Sequence, residues 1–294
     1  MILFSTSANE PLARRVAKEA KIRLGKRLIS SFTDGELSVQ ITESSRKQET
    51  VILASLHQPD RNLLELLWLI NAARKWNGRK PTVIAPYLGY ARQDRAEPKG
   101  STVAAETVAQ MIKSVGVKKI LTIDIHSKQA ANYIRIPYQD LTAIPLLVKS
   151  LKIKPAQTVI VAPDAGAIRR AEMFSKLSRV KNLAVIQKKR PRPGHAVAVR
   201  LEGDVAEKDI VIVDDMIDSG GTIIAATKLL KKHGARSIKV AATHGIFSKG
   251  ALTKLKAAGI ARIITTDTIP QKNKPTHLKV ISVAPMLAKY LKSI

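Results

Sequence analysis

IVIVDDMIDSGGTIIAATKLLKKHG, residues 210–234, changes character twice. Ile210 to Val213 are apolar and β-branched at every position, the pattern of a strand covered on both faces, as in a parallel sheet. Asp214, Asp215 and Asp218 then crowd three carboxylates into five residues. Ser219, Gly220 and Gly221 follow, with almost no side chain. From Thr222 onward apolar residues return at helical spacing until Gly234, a helix stop. Mutual repulsion and a side-chain-poor loop are unfavourable, so the segment implies a group from outside the chain that compensates for both.

The same scheme of strand, polar end and helix runs along the 294 residues. ILFST precedes ANEPLARRVAKEAKI, TVILAS precedes NLLELLWLINAARKW, PTVIAP precedes TVAAETVAQMIKSV, and KKILTID leads into a short polar turn. In the second half QTVIVAP precedes AGAIRRAEMFSKL, and KVAATH precedes KGALTKLKAAG. Short β-branched strands alternating with 10–15-residue helices imply βαβ units and parallel sheets. The length suits two domains, each large enough for its own core. The boundary is expected near QDLTAIP, giving an α/β domain over 1–142 and a second over 143–283, with a last helix, 284–294, joining the first. Gly78, Gly116, Gly234 and Gly259 are expected as helix stops.

Composition narrows the chemistry. The absence of cysteine excludes disulfides, thiolate metal sites and Cys nucleophiles, and it fits a reducing cytoplasm. MILFSTSANE has no basic region before its apolar residues and does not read as a signal peptide. The most apolar helical run is broken by Glu65, Asn71 and Arg74 and is too short to span a bilayer. The formal charge of +27 could serve nucleic acid or phosphorylated ligands, or be a solvated basic surface. With four Phe and two Trp there is little to stack bases on, so no specific nucleic acid partner is expected.

In open parallel sheets ligands bind beyond the carboxyl ends of the strands, and here those ends are polar. Asp124 and His126 follow LTI two residues apart, which puts both on one face of an extended chain. Asp164 follows TVIVAP. Tyr90-Ala91-Arg92-Gln93-Asp94-Arg95 follows TVIAPYLG, with Asp94 and Arg95 able to pair with each other. In DSGGT (218–222) glycine lets backbone N–H groups converge on an anion, the next helix adds its positive end, and the hydroxyls of Ser219 and Thr222 can donate to the same oxygens. No GxxxxGK[ST] is present, so this phosphate cradle is not a Walker A loop. Asp214 and Asp215 suit sugar hydroxyls or Mg²⁺ better than phosphate.

A hydrophobic run, Asp-Asp, two residues and Asp-Ser-Gly-Gly-Thr resemble the motif that binds phosphoribosyl diphosphate (PRPP), shared by type I phosphoribosyltransferases and ribose-phosphate pyrophosphokinases. SFTDGELSVQI (31–41), APYLGYARQDR (85–95), TIDIHSKQ (122–129) and VIQKKRPRPG (185–194) extend the likeness to the pyrophosphokinases. APDAGAIRRA (162–171) and VISVAPMLA (280–288) carry it over essentially the whole chain. The resemblance implies two doubly wound parallel-sheet domains of phosphoribosyltransferase-like fold, with the active site between them. It implies transfer of the diphosphoryl group of Mg-ATP to O1 of ribose 5-phosphate, giving PRPP and AMP. Asp218, Ser219, Gly220, Gly221 and Thr222 would hold the 5-phosphate, and Asp214 and Asp215 the ring hydroxyls. Arg92 and Gln93 would contact ATP, with His126, Asp124 and Asp164 at Mg²⁺. Phe32, Asp34 and Glu36 would form the adenine pocket of a neighbouring subunit, so a homo-oligomer is implied. From residues alone, Asp34-Gly35-Glu36 reads as a hairpin turn. Lys188 and Arg190 match the catalytic pair of the family's mobile loop. Gln187, Lys189 and AEPKGST (96–102) depart from the usual pattern, the last lacking the arginines that several bacterial members carry there.

Overall fold

The structure, a computed structural model, describes residues 1–43, 48–192 and 195–293, with side chains throughout except at 188–192 and 195–199. The described chain forms two compact units. One comprises Met1–Leu141, Thr268–Pro270 and Ser282–Ile294; the other comprises Thr142–Asp267 and Gln271–Ile281.

The first unit runs β1 (Ile2–Ser5), α1 (Glu10–Ala20), β2 (Arg23–Leu24), β3 (Arg27–Ser31), β4 (Leu37–Ile41), β5 (Thr50–Leu53), α2 (Arg61–Asn77), β6 (Thr82–Ala85), α3 (Ala104–Ser114), β7 (Lys119–Ile123), α4 (Lys128–Asn132) and β8 (Tyr138–Leu141). Among the described residues these make a six-stranded sheet in the order β2-β1-β5-β6-β7-β8, parallel throughout. β3 and β4 form a separate antiparallel hairpin. Every residue of β1, β5 and β6 is buried. Ile2, Ile52 and Val83 share one core with Leu66 and Ile70 of α2 and Ile112 of α3. At about 1.5–3 kcal/mol for each large aliphatic side chain removed from water, these residues drive the sheet to be covered.

The second unit continues with α5 (Ile144–Ser150), β9 (Thr158–Ala162), α6 (Ile168–Ser178), β10 (Leu183–Arg192), β11 (His195–Glu202), β12 (Asp209–Ile217), α7 (Gly221–Lys232), β13 (Ser237–Gly245), α8 (Ala251–Ala257), β14 (Arg262–Thr266) and β15 (Leu278–Ile281). Its seven-stranded sheet has the order β11-β10-β9-β12-β13-β14-β15; only the β10–β11 pair is antiparallel. The IVIV run behaves as its composition demands. Ile210 and Ile212 enter a core with Ile223, Ala226 and Leu230 of α7. Val211 and Val213, on the opposite face, enter one with Leu147, Ala171 and Phe174 of α5 and α6. The last helix, α9 (Ala284–Leu291), packs on α1.

The expected alternation is therefore present, and Gly78, Gly116, Gly234 and Gly259 all stand just past helices. Two stretches differ. The polar turn expected after β7 contains α4 and β8; YQDL is too short and too polar to read as a strand, and it forms because β7 offers it a parallel partner. Lys188 to Arg192, matched above to a mobile loop, lie on β10, which pairs with HAVAVRLE on β11, with register shifts between Gln187 and Lys188 and between Lys189 and Arg192. Pro191, which has no N–H to donate, falls in the second shift.

At the amino ends of β12 and β13 an ion pair fixes the strand register. Asp209 accepts from Arg236 Nε at 3.0 Å, Arg236 Nη2 at 2.7 Å and Ser237 Oγ at 2.7 Å. The guanidinium first, and then the hydroxyl, hold its carboxyl down at about 2. Because the Arg236 side chain is 44% exposed, solvent screening limits the pair to about 0.5–1 kcal/mol. Asp209→Asn is expected to lower the urea midpoint by that equivalent at pH 7. A depressed folded pKa contributes stability above the unfolded value, about 3.9, and loses it as pH falls through the folded one. The gap between variant and parent should therefore close between about pH 4 and the folded value of about 2. A gap that persists at the lower limit would show that the pair is not its source.

Candidate functional site

In the second unit the strand ends bring together what the sequence spaces 50 residues apart. β9 stops at Ala162, and Asp164 follows in extended conformation before the turn into α6. β12 extends beyond Val213, with Asp214 paired to Ala242 and Met216 and Ile217 to His244 and Gly245, so Asp214 and Asp215 fall within its last four residues and Asp218 lies just past its end. Asp215 is 5% exposed, and the Asp214 side chain is 14% exposed. Asp214 Oδ1 accepts from the Asp215 amide at 2.9 Å. Burial above all, then the Asp215 carboxylate and Asp164, push the Asp214 carboxyl well above the usual range, against the pull of Arg170. Arg170 Nη1 lies 3.8 Å from Asp214 Oδ1 and 3.9 Å from Asp215 Oδ1.

Beside the carboxylates, Gly220 caps α7 with φ 80° and ψ 0°, a conformation that disfavours any Cβ. Its carbonyl accepts the first helical bond, from the Ile224 amide at 2.9 Å. A Cβ on Gly220 would also press to 3.1 Å from Leu255. A Cβ on Gly221 would meet nothing nearer than Ser219 Oγ at 3.9 Å, so the space above the first turn of α7 is open. Ser219 and Gly221 are exposed and Thr222 half-buried. The 12-residue helix α7 thus presents free amides and its positive end beside an acidic strand end. That combination suits a ligand with phosphate at one side and neutral hydroxyls at the other.

In the first unit two loops are tied together. Gly89 allows the chain after β6 to cross the Leu56 carbonyl, since a Cβ there would fall 2.0 Å from that oxygen. The turn that follows exposes Arg92 and Gln93, and the Gln93 carbonyl accepts from the Ala105 amide at the start of α3. Asp94 accepts from Ser127 Oγ, and Ser127 in turn caps α4 by accepting from the Ala130 amide at 3.0 Å. Tyr133 OH donates to the Asp94 carbonyl at 3.2 Å. The sequence offered Arg95 as the partner of Asp94; the structure gives it Ser127, the residue after His126.

Asp124 lies after β7 with φ 45° and is buried, a left-handed conformation uncommon for non-glycine residues. Asp140 of β8 supports that turn, accepting from Thr122 Oγ1 at 2.6 Å and from the Ile125 amide at 3.2 Å. His126, next in line, is exposed. Phe32, Asp34 and Glu36 occupy the β3–β4 turn, closed by Phe32 N–H to Glu36 O at 2.9 Å and by Glu36 N–H to Asp34 Oδ1 at 3.0 Å. Phe32 is 61% exposed. Arg61 of α2 holds the hairpin by donating to Ser31 Oγ at 2.9 Å. Lys188 and Arg190 lie on β10, and their side chains fall outside the described residues.

Arg170, Asp140 and the Asp94–Ser127 link escaped the sequence reading. Arg170 stands in the quoted APDAGAIRRA, six residues after Asp164, and its carboxylate partners lie on a strand reached only through the fold.

The chain's first 116 residues match the family model for the "N-terminal domain of ribose phosphate pyrophosphokinase", and residues 175–294 match the "phosphoribosyl synthetase-associated domain". A ribose-phosphate pyrophosphokinase of a Marinomonas species is 35% identical over 100% of this chain and 95% of its own length. That of Thermotoga maritima is 36% identical over the same shares. The crystal structure of phosphoribosylpyrophosphate synthetase from Mycobacterium smegmatis superposes with a TM-score of 0.91 at 33% identity, covering 99% of this chain and 97% of the other.

A buried carboxylate with a raised pKa binds its proton more tightly folded than unfolded. Its contribution to stability is present at low pH and is lost as pH rises through the folded pKa. Asp214→Asn is therefore expected to raise the melting temperature of the ligand-free protein at pH 8 by about 2–4 °C, roughly 1 kcal/mol for a unit of this size. The advantage should fade as pH falls toward about 4, where unfolded carboxylates take up protons. Scanning calorimetry in phosphate-free buffer reads it, and a lower melting temperature at pH 8 would contradict the electrostatic account.

Proposed function

The chain belongs to the ribose-phosphate pyrophosphokinase family, and on that premise we propose that it transfers the diphosphoryl group of Mg-ATP intact to O1 of ribose 5-phosphate. The O1–Pβ bond forms as the bond from Pβ to the α,β-bridging oxygen breaks; AMP leaves, and the products are PRPP and AMP. One observation carries the reading: a carboxylate pair and an amide-lined helix start sit side by side at the ends of β12 and α7, matched to the hydroxyl edge and the phosphate of one sugar phosphate.

The residue roles are those the resemblance implies. The amides and hydroxyls from Asp218 to Thr222 bind the 5-phosphate, with Ser219 and Thr222 donating and Gly220 and Gly221 giving access to backbone. Asp214 and Asp215, as carboxylates, accept from the ring hydroxyls and so orient O1. Arg92 binds ATP phosphate oxygens with its planar fork, and Gln93 supports it. Phe32, Asp34 and Glu36 complete the adenine site of a second copy; the exposure of Phe32 and of Leu28 on the same hairpin, 61% and 54%, supports a partner there. Lys188 and Arg190 stabilise the charge on the transferring and leaving oxygens, the chief demand of phosphoryl-type transfer. A cytoplasmic setting fits a chain without cysteine, and no described helix is long and apolar enough to cross a membrane.

The donor set fits Mg²⁺. Among the described residues no three His, Asp or Glu side chains gather into a self-sufficient metal cage. Mg²⁺ characteristically takes one or two carboxylates and completes its shell with waters and substrate phosphates. In the first unit Asp124 supplies a hard oxygen and His126, two residues on, an imidazole; in the second unit Asp164 supplies a further hard oxygen. When bound with nucleotide, the ion supplies Lewis-acid charge at the phosphate oxygens.

Incubation with ATP, Mg²⁺ and ribose 5-phosphate, followed by chromatography and phosphorus NMR, is expected to give AMP and PRPP one for one. ADP in place of AMP would mean single-phosphoryl transfer and sink the reading. Lys188→Ala is expected to lower kcat by about 10³–10⁵, the range for a transition-state cation. Gly221→Ala fills the open space above α7 and is expected to raise the KM for ribose 5-phosphate at least tenfold while the melting temperature holds. An unchanged KM would remove the 5-phosphate from that position.

A further inference from the structure

The β3–β4 hairpin is a two-stranded sheet separate from the six-stranded one. Two strands without neighbours are at best marginally stable in water, so the direction of the hairpin's tip is set by what grips it. Its base is held twice. Val39 and Ile41 of β4 join the core of the first unit. Arg27 of β3 donates from Nε to the Ser5 carbonyl at 2.8 Å and from Nη2 to Glu10 Oε2 at 2.7 Å. Toward the tip the hold comes from Arg61, the first residue of α2. Its Nη1 donates to Ser31 Oγ at 2.9 Å and its Nη2 to the Ser30 carbonyl at 3.4 Å. Ser30 and Ser31 are the last rungs of the ladder, opposite Ser38 and Leu37, and Phe32 follows them. The third guanidinium nitrogen faces the helix: Nε lies 3.4 Å from Glu65 Oε1, one turn on. Glu65 is 1% exposed and is fixed from its other side by Ser7, whose amide donates to Oε2 at 2.8 Å and whose hydroxyl lies 2.8 and 2.7 Å from the two oxygens. Because a guanidinium carries its donors in a rigid planar fork, Arg61 ties the two residues that lead into the Phe32–Glu36 turn to a buried carboxylate.

We propose that Arg61 is a positioning residue for donor specificity: it fixes the tip in the orientation in which Phe32, Asp34 and Glu36 recognise adenine, and so sets the preference for ATP over triphosphates carrying another purine. The inference rests on the assignment of that tip to an adenine site, made above. The triphosphate is common to all such donors, so only the base distinguishes them. Recognition of a base needs an aromatic face and polar groups held in fixed relation, and small displacements of such groups cost discrimination. The tip has the parts, an exposed Phe32 between polar neighbours. Its own closure, from Phe32 N–H to Glu36 O and from Glu36 N–H to Asp34 Oδ1, fixes the turn internally but not its direction. Arg61 supplies the direction.

The test compares kcat and KM with ATP and with GTP as donor, and KM for ribose 5-phosphate, in the full-length parent and in Arg61→Gln, Arg61→Lys, Ser31→Ala and Phe32→Ala. In Arg61→Gln the KM for ATP should rise about tenfold, as for lost hydrogen bonds from a charged group. The ratio of kcat/KM for ATP to that for GTP should fall about fivefold or more, while the KM for ribose 5-phosphate stays within about twofold. Hydrogen exchange of the hairpin amides should quicken in the same variant. Arg61→Lys, which keeps the charge but not the fork, should lie between, and Ser31→Ala should lower the ratio about two- to fivefold. An arginine that served only the fold would cost activity with both donors alike. A ratio unchanged in Arg61→Gln, or a KM for ribose 5-phosphate that rises as far as that for ATP, overturns the inference. If Arg61→Gln does not fold, Ser31→Ala decides by whether its ratio falls or holds. A ratio lost in Phe32→Ala but kept in Arg61→Gln rejects the role of Arg61 alone. A parent that forms no AMP, or a ratio kept in Phe32→Ala, refutes instead the functional reading beneath it, so the two failures are distinct.

Discussion

Strands that are hydrogen-bonded on both sides and covered on both faces leave a parallel sheet only its strand ends for polar chemistry. β12 shows the constraint within nine residues: Ile210 to Val213 fill two cores, and the acidic pair begins at the next position. Everything the second unit offers a ligand hangs from that edge. Asp164 leaves the end of the neighbouring strand β9, α6 brings Arg170 across, and α7 starts beside them at Gly220 and Gly221. The hydrophobic packing below fixes the positions of charges that would otherwise move apart.

Such an arrangement keeps the ligand-free site less stable than it could be. Burial, the Asp215 carboxyl and Asp164 push the Asp214 carboxyl up, against the pull of Arg170 standing off at nearly 4 Å. The first unit has a backbone counterpart in Asp124, which is held in a left-handed conformation by the support of Asp140. Strain and repulsion of this kind persist where surrounding structure over-determines them. Here the determinants are strands packed in the core and the short turns that follow them.

Much of this was legible in the sequence, for identifiable reasons. Apolar β-branched runs such as IVIV and TVIVA cannot be satisfied except between two covered faces, so the α/β architecture follows from them. The cradle was legible because Ser219-Gly220-Gly221 breaks every local preference at once. What escaped depends on contacts between distant segments. YQDL carries too little apolar character to announce β8; it is a strand because β7 pairs with it. Asp94 lies beside Arg95 in sequence, and only the fold brings Ser127 to its carboxylate. Arg170 looked like one of many surface cations in a chain of +27. The basic stretch around Lys188 had the composition of a loop, and it forms a ribbon because HAVAVRLE supplies an alternating partner strand.

That ribbon also bears on how the protein stays dispersed. β11 is the outermost strand of its sheet, and a flat edge strand is a template onto which another chain can add. Two register shifts interrupt the ladder between β10 and β11, and Pro191, in the second of them, has no N–H to donate. Irregular pairing of this kind makes the sheet's edge a poor surface for fibre growth.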